Sequence, residues 1–327
     1  MTAAALRADA LLLLVAVIWG SGFVAQRLGM DHVGPLTFTG VRFAIGTAVL
    51  LPIVLRQTRG TRICGPAAPS SDLSDSAGPA DPRQAPRRIC AAPSAWRGGV
   101  VLGLVLFVGA VLQQIGLVTT TAGKAGFITG LYVIFVPLIG LALGRRAGWH
   151  VWIGAALAVG GLYLLSVTGR LTMEPGDAFV LACAVVWALH VHLIGRFSPR
   201  TDPVRLAAIQ FLTTAVLASA AGVIFERPAP RNLWTARWAI LYSGVVAVGA
   251  GYTLQVVAQR RAPATHAAIL LSLEAVFAAV FGGLMLRETL TGRQLVGCVF
   301  MLAGVVVSQF RSSRQNHARG TAAARGD

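Results

Sequence analysis

The segment Gly98–Val118 reads GGVVLGLVLFVGAVLQQIGLV, 21 residues with no charge and only two polar side chains, Gln113 and Gln114. A helix that crosses the hydrocarbon core of a bilayer needs about 20 apolar residues. A buried strand is shorter, and a barrel strand alternates apolar with polar residues, which this run does not. Nine further runs follow the same pattern: 10–28, 36–55, 124–143, 149–168, 177–196, 204–224, 238–257, 265–286 and 292–310. In lipid only helices or closed barrels satisfy their own backbone polar groups. The ten runs therefore predict an all-α membrane protein with ten transmembrane helices. The first run follows Arg7 in the manner of a signal peptide. It continues through Trp19, Gly20 and Phe23 without a small-x-small cleavage site, and is read as a span.

Composition agrees with this reading. The 327 residues are 55% hydrophobic and only 12% charged, about half the charge usual in soluble domains. Disorder requires low hydrophobicity, so a disordered chain is excluded. The formal net charge is +16, with 28 basic residues of which Lys124 is the single lysine. They are scattered between apolar runs rather than gathered in one basic domain, so no nucleic-acid partner is expected. Excess arginine in a membrane protein marks cytoplasmic loops. With the N-terminus inside, nineteen basic residues fall in inside segments, eight fall outside, and Arg42 lies within a span. This bias predicts a multi-pass protein of the cytoplasmic membrane with both termini cytoplasmic.

Residues 57–97 form the one long interruption, rich in Pro, Ser, Ala and Asp. They are expected to be a disordered cytoplasmic loop between the second and third helices. Residues 311–327 are read as a basic cytoplasmic tail. Cys64, Cys90, Cys183 and Cys298 make no CxxC or zinc spacing, so neither a metal nor a cofactor is expected.

The chain repeats itself. At an offset of 168, Asp9 falls on Asp177, Trp19 on Trp187, Pro35 on Pro203 and Phe43 on Phe211. At 142, Trp96 falls on Trp238, Gly109 on Gly251, Gln113 on Gln255 and Phe135 on Phe277. At 143, Gly154 falls on Gly297 and Gly161 on Gly304. The drop in offset matches an insertion, the 57–97 loop, in the first half alone. The domains are then 9–168 and 177–310, each with five spans. Five is odd, so the second repeat enters from the opposite side and the two are inverted. Inverted repeats recur in secondary transporters, with the substrate site at the repeat interface.

Several segments resemble a known family. Trp19-Gly20-Ser21-Gly22-Phe23, the Arg42-Phe43 pair and the stretch from Thr120 to Leu131 look like the first repeat of EamA-type transporters, of the drug/metabolite transporter superfamily. Gly176-Asp177 leading to Trp187-Ala188 looks like the start of the second repeat. Ala268 to Phe277, then Arg287-Glu288-Thr289-Leu290-Thr291, looks like its end. The resemblance covers 9–310 apart from the long loop. It implies export of amino acids, related metabolites or drugs. A Pro often follows the acidic residue in this family; here that position is Ala275, which implies a less bent helix.

Polar residues inside the spans are the candidate site. Glu274, near the middle of the ninth span, either binds a cation or proton in a central cavity or bonds neighbouring helices. Its counterpart is Tyr132. Arg42 either binds an anionic group such as a carboxylate or pairs with Glu274 or helix carbonyls; its counterpart is Gln210. Gln113 and Gln255 sit beside glycines, a pattern that favours helix packing. Trp19 and Trp187 lie near span centres and are candidate pocket walls or core. His190 shares a face with Trp187 and is a candidate proton relay, while His192 diverges by about 200°, which makes a poor chelate.

No Walker A sequence surrounds Lys124 and no HExxH motif exists. No paired acids lie within helical reach in the membrane, so catalysis is not expected. The leading expectation is a secondary transporter, an exporter of small metabolites by alternating access, with a small-molecule substrate and the lipid bilayer as its partners. The alternative is an integral membrane enzyme or lipid-handling protein. Pairing into a homodimer is left open by the sequence.

Overall fold

The structure, a computed structural model, describes residues 3–60, 93–120, 122–145, 147–167, 174–286 and 291–309. The loop expected over 57–97 lies outside these residues except at its ends. So do the tail 311–327 and residues 287–290 of the Arg287–Thr291 motif.

Ten helical spans follow in order: α1 (Ala3–Met30), α2 (Pro35–Gly60), α3 (Pro93–Thr119), α4 (Ala122–Gly130 then Tyr132–Ala142), α5 (Trp149–Ser166), α6 (Pro175–Phe197), α7 (Pro203–Phe225), α8 (Arg237–Ala258), α9 (Ala264–Leu271 then Glu274–Leu286) and α10 (Gly292–Gln309). No strand occurs among the described residues. Eight helical stretches are long and apolar enough to cross a membrane; Trp149–Leu165 and Gly292–Ser308 are shorter apolar helices. Large apolar side chains such as Val216, Val223, Phe225, Val299 and Leu302 are exposed on the outside of the bundle. So much exposed apolar surface suits lipid rather than water.

Local chemistry sets the helix starts. Glu174 and Asp177 form a capping box ahead of Pro175 at the entry to α6. Asp202 accepts from the Arg205 backbone N–H at 2.9 Å to begin α7. The start of α2 is capped from the other half of the chain. Both oxygens of Glu226, at the end of α7, accept the free N–H groups of Leu36 and Thr37 at 2.7 and 2.8 Å. A carboxylate there also meets the positive end of the α2 dipole.

Packing pairs are exchanged when the two halves are swapped. Helix α3 packs on α6, and α8 on α1; α3 packs on α7, and α8 on α2; α4 packs on α6, and α9 on α1. Helices α5 and α10 pack on each other, as do α2 and α7. These equivalent helices cross antiparallel. A Cβ on Gly154 would lie 2.8 Å from the Gly304 carbonyl, and one on Gly161 would lie 2.5 Å from that of Gly297. Between α2 and α7, Gly40 meets Ser219 and Gly222 meets Thr37. Antiparallel contact between equivalent helices is what inverted repeats require.

Three predicted spans are not plain helices. Helix α4 breaks at Leu131 and α9 at Ser272–Leu273. Leu131 and Leu273 each donate to the carbonyl three residues back, Ile128 and Leu270, at 3.2 Å. The break in α9 occurs although Ala275 stands in place of Pro, so proline is not what interrupts this helix. The middle of α8, Ser243–Tyr252, is π-helical, whereas the equivalent part of α3 is α-helical.

Candidate functional site

The second segments of α4 and α9 begin at Tyr132 and Glu274, which are equivalent positions at the offset of 142. Both line one central cavity, partly open to the outside. Interrupted helices at a repeat interface recur in transporter binding sites. Ten of the fourteen lining residues form equivalent pairs, one member from each half: Trp19 with Trp187, Phe23 with Val191, Gln113 with Gln255, Thr129 with Leu271, and Tyr132 with Glu274. The cavity therefore lies where the two halves meet. Gln26, Arg42, Ala247 and Tyr252 complete the wall without such partners in it.

Side-chain positions follow from helical spacing. Trp19, Phe23 and Gln26 fall at i, i+4 and i+7 on one face of α1. Close approach brings α1 to the break in α9, because a Cβ on Gly20 would lie 2.6 Å from the Glu274 carbonyl. Gly251 similarly admits the Trp19 indole, and Gly109 the Trp187 ring. The Trp19 indole N–H donates to the Ala247 carbonyl at 3.2 Å, tying α1 to the π-helical part of α8.

Aromatic rings form much of the wall. Tyr252 is the hub, 4.7 Å from Trp19, 5.8 Å from Trp187, 5.9 Å from Phe43 and 6.2 Å from Phe211, between ring centroids. These separations suit edge and offset contacts. Arg42 is 2% exposed. Its Nη1 donates to Gln26 Oε1 at 2.8 Å, and its guanidinium carbon lies 5.5 and 5.3 Å from the Phe38 and Phe43 ring centres. Its Nε and Nη2 have no hydrogen-bond partner. Among the described residues no ion pair joins Arg42 to Glu274. One cation and one carboxyl thus line the same cavity without neutralising each other. A buried unpaired charge costs several kcal/mol.

The cavity gathers seven expected residues, Glu274, Arg42, Trp19, Trp187, Tyr132, Gln113 and Gln255. Gln113 also bonds across helices, donating to Thr129 Oγ1 at 3.4 Å, while Gln255 Oε1 has no partner. His190 does not line the cavity. It is fully buried behind Trp187 and Tyr252, and its Nε2 meets Gln210 Oε1 at 3.1 Å. The sequence reading missed Gln26 and Tyr252. A polar residue two turns beyond Trp19 was the signal for Gln26; proximity to Gln255 on α8 was the signal for Tyr252.

Polar contacts involve the first helix of each half at the two ends of the bundle. Asp9 on α1 meets His266 Nε2 on α9 at 2.8 Å. The equivalent Asp177 on α6 accepts from the hydroxyl of Thr120, just past α3. Among the described residues no His, Cys, Asp and Glu cluster could hold a metal ion.

Comparison with known proteins agrees with this architecture. An uncharacterized transporter of Archaeoglobus fulgidus is 29% identical over 315 residues, covering 94% of this chain and 87% of that protein. A probable amino-acid metabolite efflux pump of Salmonella typhimurium is 27% identical over 314 residues, covering 92% and 94%. The threonine/homoserine exporter RhtA of the same species is 28% identical over 184 residues, covering 54% and 60%. A solved crystal structure at 19% identity superposes with a TM-score of 0.72 over 94% of this chain and 98% of its own; at that identity the likeness concerns the fold. The EamA-like transporter family model matches residues 6–69, 82–167 and 174–310. With ten apolar helices around a cavity shared by its two halves, the chain belongs to the EamA-like transporter family and is a multi-pass membrane protein.

Proposed function

We propose that this chain is a secondary exporter of small metabolites of the amino-acid class, working by alternating access through the central cavity. The observation that carries the reading is the lining. Equivalent residues of two oppositely directed halves face one another across a single space. When such halves exchange conformations, a cavity open to one side becomes open to the other while the site stays in place. The polar contacts of the two equivalent aspartates, Asp9 with His266 and Asp177 with Thr120, give each end a contact to break and remake. The printed names of the efflux pump and the threonine/homoserine exporter support the substrate class.

Glu274 is the proton-coupling group in this reading, the acid of the cavity at the break in α9. Trp19, Trp187 and Tyr132 shape the walls, and Gln113 and Gln255 bond polar parts of the substrate. Both termini are cytoplasmic, as the excess of arginine in those loops supports. The full chain in sealed liposomes under a proton gradient tests the proposal with amino acids, nucleosides and cationic dyes. The expected result is gradient-driven flux of amino acids. Absence of flux for all three classes, or product formation in detergent where no compartments exist, overturns it.

A further inference from the structure

The unpartnered edge of Arg42 has a shape that selects its ligand. A guanidinium carries five N–H donors in a fixed plane. Gln26 Oε1 takes Nη1, and Nε and Nη2 remain without partners. These two nitrogens form one side of the fork, the side that presents two parallel N–H groups. Two parallel donors match the two oxygens of a carboxylate. The flanking rings of Phe38 and Phe43 hold the guanidinium without supplying a counter-charge. Gln26 is in turn anchored, its Nε2 donating to the Gly22 carbonyl at 3.4 Å.

From this geometry we infer that the Nε–Nη2 edge of Arg42 is the carboxylate-binding element of the cavity, with Gln26 as the residue that positions it. The inference rests on the transport reading above and names the chemical group that substrate must carry. The arrangement is not repeated at the equivalent positions of the second half. The positions equivalent to Gln26 and Arg42 are Ile194 and Gln210, neither of them charged, and the Gln210 oxygen is taken by His190. A substrate therefore has one orientation in the cavity, with its carboxylate toward α2. A single cation with one free edge suits a planar monoanion. A phosphate or sulfonate, with three oxygens in tetrahedral array, leaves oxygens unmet there. Burial of Arg42 makes the selection sharp, because a carboxamide offers one acceptor oxygen and no charge where a carboxylate offers two oxygens and a charge, and so leaves one N–H group without a partner.

The test uses the purified full chain with leucine, threonine and phenylalanine, each as the free acid, the amide and the deaminated acid, and with inorganic phosphate. Binding is read by calorimetry and flux by liposome assay. The free acids and deaminated acids bind, and the amides and phosphate bind about 10-fold more weakly or worse. Arg42→Gln removes the preference for acid over amide. Arg42→Lys keeps the charge but not the paired donors, so it keeps the fold and weakens the acids while leaving the amides unchanged; it serves if Arg42→Gln does not fold. Gln26→Leu raises KM for the acids more than it lowers kcat, a split that general loss of packing does not give.

Equal binding of acids and amides to the unaltered chain overturns the inference. So does retention of acid preference in both Arg42 variants, or absence of binding by every acid. Acid-selective binding without flux leaves the carboxylate site standing and removes the transport reading. Flux without acid preference does the reverse.

Discussion

The two halves share their frame and differ in their charges. Where they are alike, they build walls: Trp19 and Trp187, Gln113 and Gln255, and the helix breaks at Leu131 and Leu273. Where they differ, one half holds a polar or bulky group and the other a neutral or small one. Glu274 stands opposite Tyr132, Arg42 corresponds to buried Gln210, and Tyr252 corresponds to Ala110. The first half supplies the cation and the second half the carboxyl. A symmetric frame lets the cavity face either way, and unequal charges give its contents a fixed polarity.

The comparison breaks most visibly where the halves touch. Gly161→Val drives a side chain into the Gly297 carbonyl, whereas Gly160→Val faces only Phe300 at 3.9 Å. The first substitution is expected to cost about 3 kcal/mol or more and to abolish monodisperse protein. The second is expected to leave yield and melting point near the parent. Equal tolerance of both would show that the α5–α10 backbones are not in contact.

The next contrast is chemical. Glu274→Gln removes the proton-binding group, and flux is expected to lose its dependence on the pH gradient while circular dichroism is unchanged. The equivalent change, Tyr132→Phe, deletes a hydroxyl that has no partner and keeps the pH dependence. Unaltered pH dependence in Glu274→Gln would remove the coupling role.

A finer contrast concerns the two tryptophans. Trp19 donates to the Ala247 carbonyl across to the other half, a bond worth about 1 kcal/mol. Trp19→Phe is expected to raise KM about 5-fold, and Trp187→Phe less. Reversed order in a liposome assay would mean that the α1–α8 tie is not maintained during transport. The smallest effect lies at the surface. Arg237 sits 4.7 and 5.5 Å from the Trp234 and Trp238 rings, where its counterpart is Ala95. Arg237→Ala is expected to cost under about 1 kcal/mol, seen as a slight fall in melting temperature with flux retained.

Much of this was legible from the residues alone. Ten apolar runs of bilayer length give ten helices because lipid allows little else. Offsets of 168 and 142 bring Trp19 to Trp187 and Gln113 to Gln255, and the cavity contains all four. The interruptions of α4 and α9 left no comparable trace. Leu131, Ser272 and Leu273 are ordinary helix residues, no Pro stands at either break, and Gly130 beside the first has no glycine counterpart beside the second, where Ser272 stands. The π-helical stretch of α8 is hidden for the same reason, since its apolar residues satisfy either bonding pattern. Gln26 and Tyr252 escaped because their counterparts, Ile194 and Ala110, carry no polar group to draw attention to the position. His190 was expected at the site on the strength of its helical face; Gln210 instead holds it in the interior.

The meeting of α5 and α10 has a mechanical consequence. Along Gly154, Gly161, Gly297 and Gly304 the two main chains touch with no side chain between them. Interlocked side chains can change rotamer and let helices slip, but bare main chain offers no such gearing. If these two rods move as one keel, any rocking of the vessel is borne by the planks around it.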